Sequence, residues 1–388
     1  MIRPGNRLDL LVGGADFFPA LIAACDAARH EVHLETYIFV VDQAGLAVAD
    51  ALKRAAGRGV ATRLLIDGFG SKHLPVAFVA ELRAAGVEVL FYRPESPFWR
   101  IRRSRLRRLH RKLAVIDARL AFVGGINIID DLDGDGLEAP RLDFAVRVEG
   151  PLVSDIRAAV RHLWNQHAWS RVGRMPVMPE WTQGDEQPAG RQKAEFLCRD
   201  NFRRRRDIES GYLDALRSAR LEVFIANAYF LPGRRFRHAL VEAARRGTRV
   251  VLLVQGHSDH PLFRAATRTL YAHFLENGIE IFEYRASEMH AKVAVVDGHW
   301  ATLGSSNIDP FSLLLAREAN VVVHDRRFAI ELIAAIESAL HDGSQRIHRM
   351  AWRRLSWWRR AKSWLAYGWI RVLVGLSGQS RAWDGENA

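Results

Sequence analysis

His110, Lys112 and Asp117 form the pattern His-x-Lys-x4-Asp, and after six further residues come Gly124, Gly125 and Asn127. The same spacing returns with His290, Lys292, Asp297, Gly304, Ser305 and Asn307. These residue types suit the breaking and re-making of a phosphodiester bond. One imidazole can attack phosphorus to form a covalent phosphohistidine, dividing one hard displacement into two easier ones. A second imidazole can protonate the leaving alkoxide and later deprotonate the incoming alcohol. Two lysines can neutralise the non-bridging oxygens where charge gathers in the transition state. Each copy supplies one histidine, so the scheme needs both copies to face each other. It calls for no metal and no cofactor. A lone His-x-Lys is ordinarily a solvated surface pair. The full pattern fixes six positions, and one chance match has odds on the order of 10⁻⁵ at background residue frequencies.

The apolar runs LAVI and VAVV between Lys and Asp place each motif on a strand, whose period of two sets His and Lys on the same face. The glycine-rich turn after it lets backbone N–H groups approach an anion, and the asparagine adds a side-chain donor. The rest of the chain is also written twice. EVHLETYIF (31–39) is echoed by EVFIANAYFLP (222–232), RGVATRLLIDGFGS (58–71) by RGTRVVLLVQGHS (246–258), and GVEVLFYRP (86–94) by GIEIFEYRA (278–286). Four echoes in one order mark a tandem duplication. In the first half, Phe17–Ala28 and Leu46–Arg58 have helical spacing, while Val32–Phe39, Thr62–Ile66 and Val87–Tyr92 read as strands. Alternation of this kind predicts α/β layers around a largely buried sheet. Proline and glycine at Pro176, Pro179, Gly184, Pro188 and Gly190 mark a linker, so the expected units are 1–175, a linker 176–193, 194–345 and a tail 346–388.

On these motifs the chain resembles the phospholipase D superfamily, whose signature is this duplicated HxKxxxxD followed by G-G/S-x-N. LETYIF, NAYFLP and RLDFAVRVEGP (141–151) make it most similar to bacterial cardiolipin synthases. The resemblance implies an α/β fold of two tandem α/β/α sandwich domains about a pseudo-twofold axis, with a metal-independent phosphohistidine site in the cleft between them. It implies His110 as nucleophile and His290 as general acid and base. Lys112, Lys292, Asn127 and Asn307, with Gly125 and Ser305, match the phosphate-binding groups. Asp143 and Glu318 match acids that orient the histidines by accepting from the far ring nitrogen. Asp117 and Asp297 complete the catalytic signature, with structural support expected rather than direct participation. His30, His33, His257 and His260 have no partner pattern and are expected on the surface or in packing. The better-known cardiolipin synthases carry two N-terminal spanning helices that are missing here, so the resemblance is to a shorter branch.

The 388 residues carry 56 Lys and Arg against 44 Asp and Glu, a net charge of +12, which predicts attraction to polyanions. Anionic lipid and nucleic acid both qualify. Arg100, Arg102, Arg103, Arg105, Arg107 and Arg108 crowd the stretch leading into His110 and suit either. The tail favours lipid. From Arg346 to Arg371 it has no acidic residue, and Trp352, Trp357, Trp358, Trp364 and Trp369 are interleaved with Arg359, Arg360 and other cations. Drawn as a helix, four of those tryptophans share one side, the composition of an amphipathic helix lying in an anionic membrane surface. No stretch reaches the ~20 apolar residues of a spanning helix. With no secretory signal, and Cys25 and Cys198 reading as scattered reduced thiols, the expected place is the cytoplasmic face of the cell membrane. The expected partners are anionic phospholipids, phosphatidylglycerol and cardiolipin, rather than nucleic acid. The expected activity is transfer of a phosphatidyl group between phospholipids. The alternatives are a phosphodiesterase hydrolysing phospholipid or nucleic acid, and a non-catalytic membrane or nucleic-acid binding protein.

Overall fold

Short β-branched runs separated by amphipathic helices build one layered α/β body. The computed structural model describes residues 1–94, 107–132, 139–172, 187–200, 206–256 and 261–349, with Leu365, Gly368, Trp369 and Val372 beyond them. The first half runs β1 (Arg3–Val12), α1 (Gly13–Ala27), β2 (Glu31–Thr36), α2 (Gln43–Gly57), β3 (Ala61–Asp67), α3 (Val76–Ala84), β4 (Glu88–Tyr92), β5 (Lys112–Ile116), β6 (Leu120–Gly124), β7 (Phe144–Glu149) and α4 (Leu152–Val172). The second runs β8 (Gln192–Arg199), α5 (Asp207–Ser218), β9 (Glu222–Asn227), α6 (Arg234–Arg245), β10 (Arg249–Gln255), α7 (Pro261–Thr269), α8 (Tyr271–Glu276), β11 (Glu280–Tyr284), β12 (Lys292–Val296), β13 (Trp300–Gly304), α9 (Pro310–Leu314), β14 (Glu318–His324), α10 (Arg326–Gly343) and β15 (Ser344–Arg346).

Strand order shows the duplication directly. In the first half it is β1-β7-β6-β5-β2-β3-β4, and in the second β8-β14-β13-β12-β9-β10-β11, with β15 added at the edge. β1 and β8 pair with each other, Arg3 opposite Ala194 and Asn6 opposite Gln192, so the halves share one continuous hydrogen-bonded sheet. Outer helices α1 to α3 cover one face of the first half through Leu21, Leu52 and Leu82 against Val32, Leu34 and Leu64. Ile208, Phe236, Leu240 and Phe274 do the same in the second half against Val223, Ile225 and Leu252. The inner core is common to both: Ile156 and Val160 of α4 and Leu332 and Ile336 of α10 lie in one apolar cluster with Val146, Val293 and Val321. There β6 and β7 pack against β13 and β14.

Several boundaries differ from the sequence reading. β1 escapes it altogether, because the alternation from Arg3 to Val12 is interrupted by Pro4 and Gly5. β8 opens at Gln192, inside the expected linker, whose residues 176–186 lie outside the described residues. Arg346, expected to begin the tail, closes the sheet instead: it pairs opposite Phe282, and its guanidinium reaches Glu280 at 3.0 Å. Burial of the β11 edge rewards this extra strand, which has no counterpart among the described residues of the first half. Cys25 and Cys198 are both free and buried. His33 is buried on β2 beside Arg63 at 3.2 Å, while His257 and His260 lie outside the described residues.

Candidate active site

Each motif histidine sits just ahead of an inner strand, His110 before β5 and His290 before β12. What brings them together is pairing between the halves. Leu109 forms an isolated parallel bridge with Arg317, and Leu142 forms the equivalent one with Met289. The His110 N–H donates to the Arg317 carbonyl at 3.0 Å, and the His290 N–H donates to the Leu142 carbonyl at 2.8 Å. Each histidine backbone is thus held by the segment that leads into the other half's orienting acid. Both imidazoles line one cavity of about 470 Å³, together with Asn127, Asn307, Asp143, Tyr37, Tyr229, Phe263, Arg141 and Glu288.

The carboxylates are used crosswise. Nδ1 of His110 lies 3.0 and 3.1 Å from the two oxygens of Glu318, and Nδ1 of His290 lies 2.6 Å from Asp143 Oδ2. An ionised carboxylate only accepts, so it fixes the proton on Nδ1 and leaves Nε2 as the reactive nitrogen. The Gly/Ser difference between the motifs follows from these acids. A Cβ on Gly125 would collide with the Asp143 carboxylate, so glycine is required there. In the second half the longer Glu318 leaves room, and Ser305 Oγ fills it by donating to Glu318 Oε2 at 2.6 Å.

That geometry corrects one expectation. Gly125 and Ser305 were expected to offer backbone N–H groups to phosphate. Their N–H groups donate instead to the Phe144 and Ala319 carbonyls, both at 2.9 Å, because the turn continues the strand ladder. Their contact is with the orienting acids. Asp117 and Asp297 also stand apart from the cavity. Asp117 accepts from the N–H groups of Arg29, His30 and Glu31 at 2.7–2.9 Å, and Asp297 accepts from those of Arg220, Leu221 and Glu222 at 2.8–3.0 Å. Each clamps the far end of the motif strand to the start of its neighbour, which takes both out of the catalytic set in which the signature placed them.

Asn127 and Asn307 hold their Oδ1 atoms against the N–H groups of Ile38 at 3.2 Å and Tyr229 at 3.4 Å, leaving each amide NH2 for the cavity. The two lysines are buried behind its wall, each Nζ donating to the carbonyl of its own motif histidine. Tyr37 packs its ring edge on His110 at 4.9 Å and carries the Lys112 ammonium over its face at 5.5 Å. Arg141 crosses between halves to Glu288 at 2.7 Å. Tyr37, Tyr229, Arg141 and Glu288 were not singled out in the sequence. The first two follow closely on β2 and β9, inside the segments LETYIF and NAYFLP. Among the described residues no group of His, Cys, Asp and Glu is arranged to hold a metal ion.

Burial and the crowding of like charge set the electrostatics around the cavity. Burial lowers Lys112 to about 7, helped by Lys292, and burial lowers Lys292 to about 8 against the pull of Asp143 and Glu318. Burial also depresses both histidines. Glu318 offsets this at His110, while Lys292 and Lys112 push His290 further down. Burial raises Asp143 to about 6. A bound oxyanion favours the ammonium forms. At about pH 8, where Lys112 is mostly neutral in the free protein, binding of tungstate is therefore expected to take up protons, and affinity to fall as pH rises further. Calorimetry in two buffers of different ionisation heat measures this, and net proton release would remove the lysines as anion partners.

A duplicated α/β chain whose two His-x-Lys motifs meet at one cavity has the arrangement of a phospholipase D-like protein. A family model described as "Cardiolipin synthase, PLD-like domain" matches residues 21–133 and 212–340, and the chain belongs to that family. It is 41% identical over 387 residues to cardiolipin synthase B of Escherichia coli (strain K12), covering 97% of this chain and 90% of that one. It is 28% identical over 345 residues to cardiolipin synthase 1 of Staphylococcus aureus (strain COL), covering 89% of this chain and 69% of that one. Among solved structures, phosphatidylserine synthase of Haemophilus influenzae Rd KW20 shares the fold with a TM-score of 0.65 at 14% identity, covering 96% and 95% of the two chains.

Proposed function

We propose that this chain is a cardiolipin synthase-type phosphatidyltransferase. It passes a phosphatidyl group from phosphatidylglycerol through a covalent phosphohistidine to the hydroxyl of a second phospholipid, releasing glycerol. The observation that carries this reading is two imidazoles on the wall of one cavity, each with Nδ1 engaged by a carboxylate from the opposite half. His110 Nε2 attacks phosphorus, and the phosphorus–oxygen bond to the glycerol head group breaks. His290, protonated once the anionic phosphodiester offsets the charge of Lys112 and Lys292, gives its proton to the departing alkoxide. The same imidazole then takes the proton from the acceptor hydroxyl, whose oxygen attacks phosphorus and displaces His110. Lys112, Lys292 and the NH2 groups of Asn127 and Asn307 hold the non-bridging oxygens throughout. A second phospholipid wins over water only where water is excluded, which a cavity mouth held against a bilayer achieves. The names of the relatives, both cardiolipin synthases, support this choice of donor and product.

The enzyme acts as a peripheral protein on the cytoplasmic face of the membrane. Among the described residues no helix is long and apolar enough to cross a membrane. Leu365, Trp369 and Val372 have helical conformation and are all more than half exposed, at the spacing of one helical side. Trp357, Trp358, Trp364, Arg359 and Arg360 lie outside the described residues. They complete the amphipathic tail proposed to rest on anionic lipid. Purified protein given phosphatidylglycerol vesicles is expected to produce cardiolipin and glycerol in equal amounts. Phosphatidic acid alone would make it a hydrolase, and the absence of both products would defeat the proposal.

A further inference from the structure

We propose that a ring of exposed apolar side chains around the cavity mouth, centred on Phe69 and Leu132, docks the body of the protein on an anionic bilayer separately from the tail. The inference rests on the phosphatidyl-transfer reading and adds to it which face meets the lipid. Phe69, 47% exposed, belongs to the loop after β3. That loop packs directly on the cavity wall: Ser71 Oγ donates to the Tyr37 carbonyl at 3.0 Å, and Gly70 backs onto the same carbonyl and ring. Leu132, 58% exposed, immediately follows Asp131 of the wall. Exposed Val41 lies between Val40, whose N–H donates to the Ile128 carbonyl at 2.9 Å, and Asp42, whose carboxylate accepts from the Asp130 N–H at 2.8 Å. Exposed Val12 precedes Gly14, whose N–H donates to Asp131 at 2.5 Å. Exposed Leu262 precedes Phe263, which lines the wall from the second half.

Single exposed apolar residues are ordinary, but five on segments that line or brace one cavity are not scattered. At the far end of the strands, Leu221 stands exposed just ahead of β9, away from these segments. Two observations select a bilayer as the occupant. The Phe69 ring carries the Lys72 ammonium at 5.4 Å and the Arg108 guanidinium at 5.3 Å, the latter also held by Asp67. Around Phe69, apolar surface edged by cations is the composition that settles at an anionic interface, while Leu132 and Val41 stand beside Asp130, Asp131 and Asp42 and contribute apolar area. Both imidazoles also line that cavity, so a phospholipid whose phosphorus reaches His110 keeps its acyl chains toward the lipid surface.

The full chain carrying Phe69→Asp and Leu132→Asp tests this, with Leu221→Asp as control. Glycerol release is measured from long-chain phosphatidylglycerol vesicles and from dihexanoyl phosphatidylglycerol kept below its micellar concentration. The double variant is expected to keep wild-type turnover of the dispersed substrate and to lose tenfold or more on vesicles, while the control loses neither. Equal vesicle rates for wild type and double variant overturn the docking surface, as does an equal loss on both substrates. A wild type that turns over neither substrate overturns the phosphatidyl-transfer reading itself.

Discussion

His110→Ala is expected to lose transfer by roughly 10⁴-fold or more and to form no covalent intermediate, whatever the leaving group. His290→Ala is expected to behave differently. With phosphatidylglycerol it loses on the order of 10²–10⁴-fold, because the glycerol alkoxide departs without a proton. With a p-nitrophenyl phosphodiester, whose leaving group needs no proton, it regains formation of the intermediate but not its discharge to an alcohol. The adduct then accumulates on the peptide containing His110. Rapid denaturation at neutral pH followed by digestion and mass spectrometry locates it. An adduct on His290 in the reverse variant would exchange the two roles. No adduct on either imidazole would end the covalent scheme. The contrast depends on both rings reaching one phosphorus atom, and both rings line the same cavity.

The crossed acids supply the second large effect. Glu318→Gln is expected to impair His110, in the other half of the chain, and Asp143→Asn to impair His290, each by on the order of 10²–10³ in kcat. An amide can donate to Nδ1 and so stabilises the wrong tautomer. The pairing makes a sharper demand. Gly125→Ser places a Cβ where the Asp143 carboxylate lies, pushing it from His290. It should cost activity by itself. Adding Asp143→Glu rebuilds the arrangement seen around Glu318 and Ser305, where the longer acid leaves space and the hydroxyl donates to it at 2.6 Å. The double variant is therefore expected to recover much of what Gly125→Ser loses, a positive coupling read from a double-mutant cycle on kcat. Strict additivity of the two losses would show that the collision is relieved elsewhere and that the Gly/Ser difference is incidental.

Much of this site is legible along the chain because its chemistry needs fixed residue types at fixed spacing on a strand. His110, Lys112 and Asn127, and their counterparts His290, Lys292 and Asn307, are recognisable without coordinates. Local pattern also reveals β2, β3 and β4, whose apolar residues recur at every second position or in short runs. Other features leave little local trace. β1 carries Pro4 and Gly5 and earns its place only by pairing with β7 on one side and β8 on the other. Arg111 looks like an ordinary motif neighbour. Folding buries it against Glu35 at 2.8 Å, with the Cys198 sulfur 3.3 Å away from the other half. The glycine-rich turn misleads, because its N–H groups look available in sequence while the ladder already uses them.

Duplication, strand placement of the motifs and the residue inventory for phosphorus chemistry are properties of the sequence itself, because each depends on neighbours within a few positions. Which carboxylate serves which histidine, where the cavity opens and what surrounds its mouth belong to the tertiary structure alone. Glu318 lies 208 positions from His110, and Asp143 lies 147 from His290. Contacts that distant are set by how the two halves of the sheet pack about their shared core, and no local pattern of side chains encodes that packing.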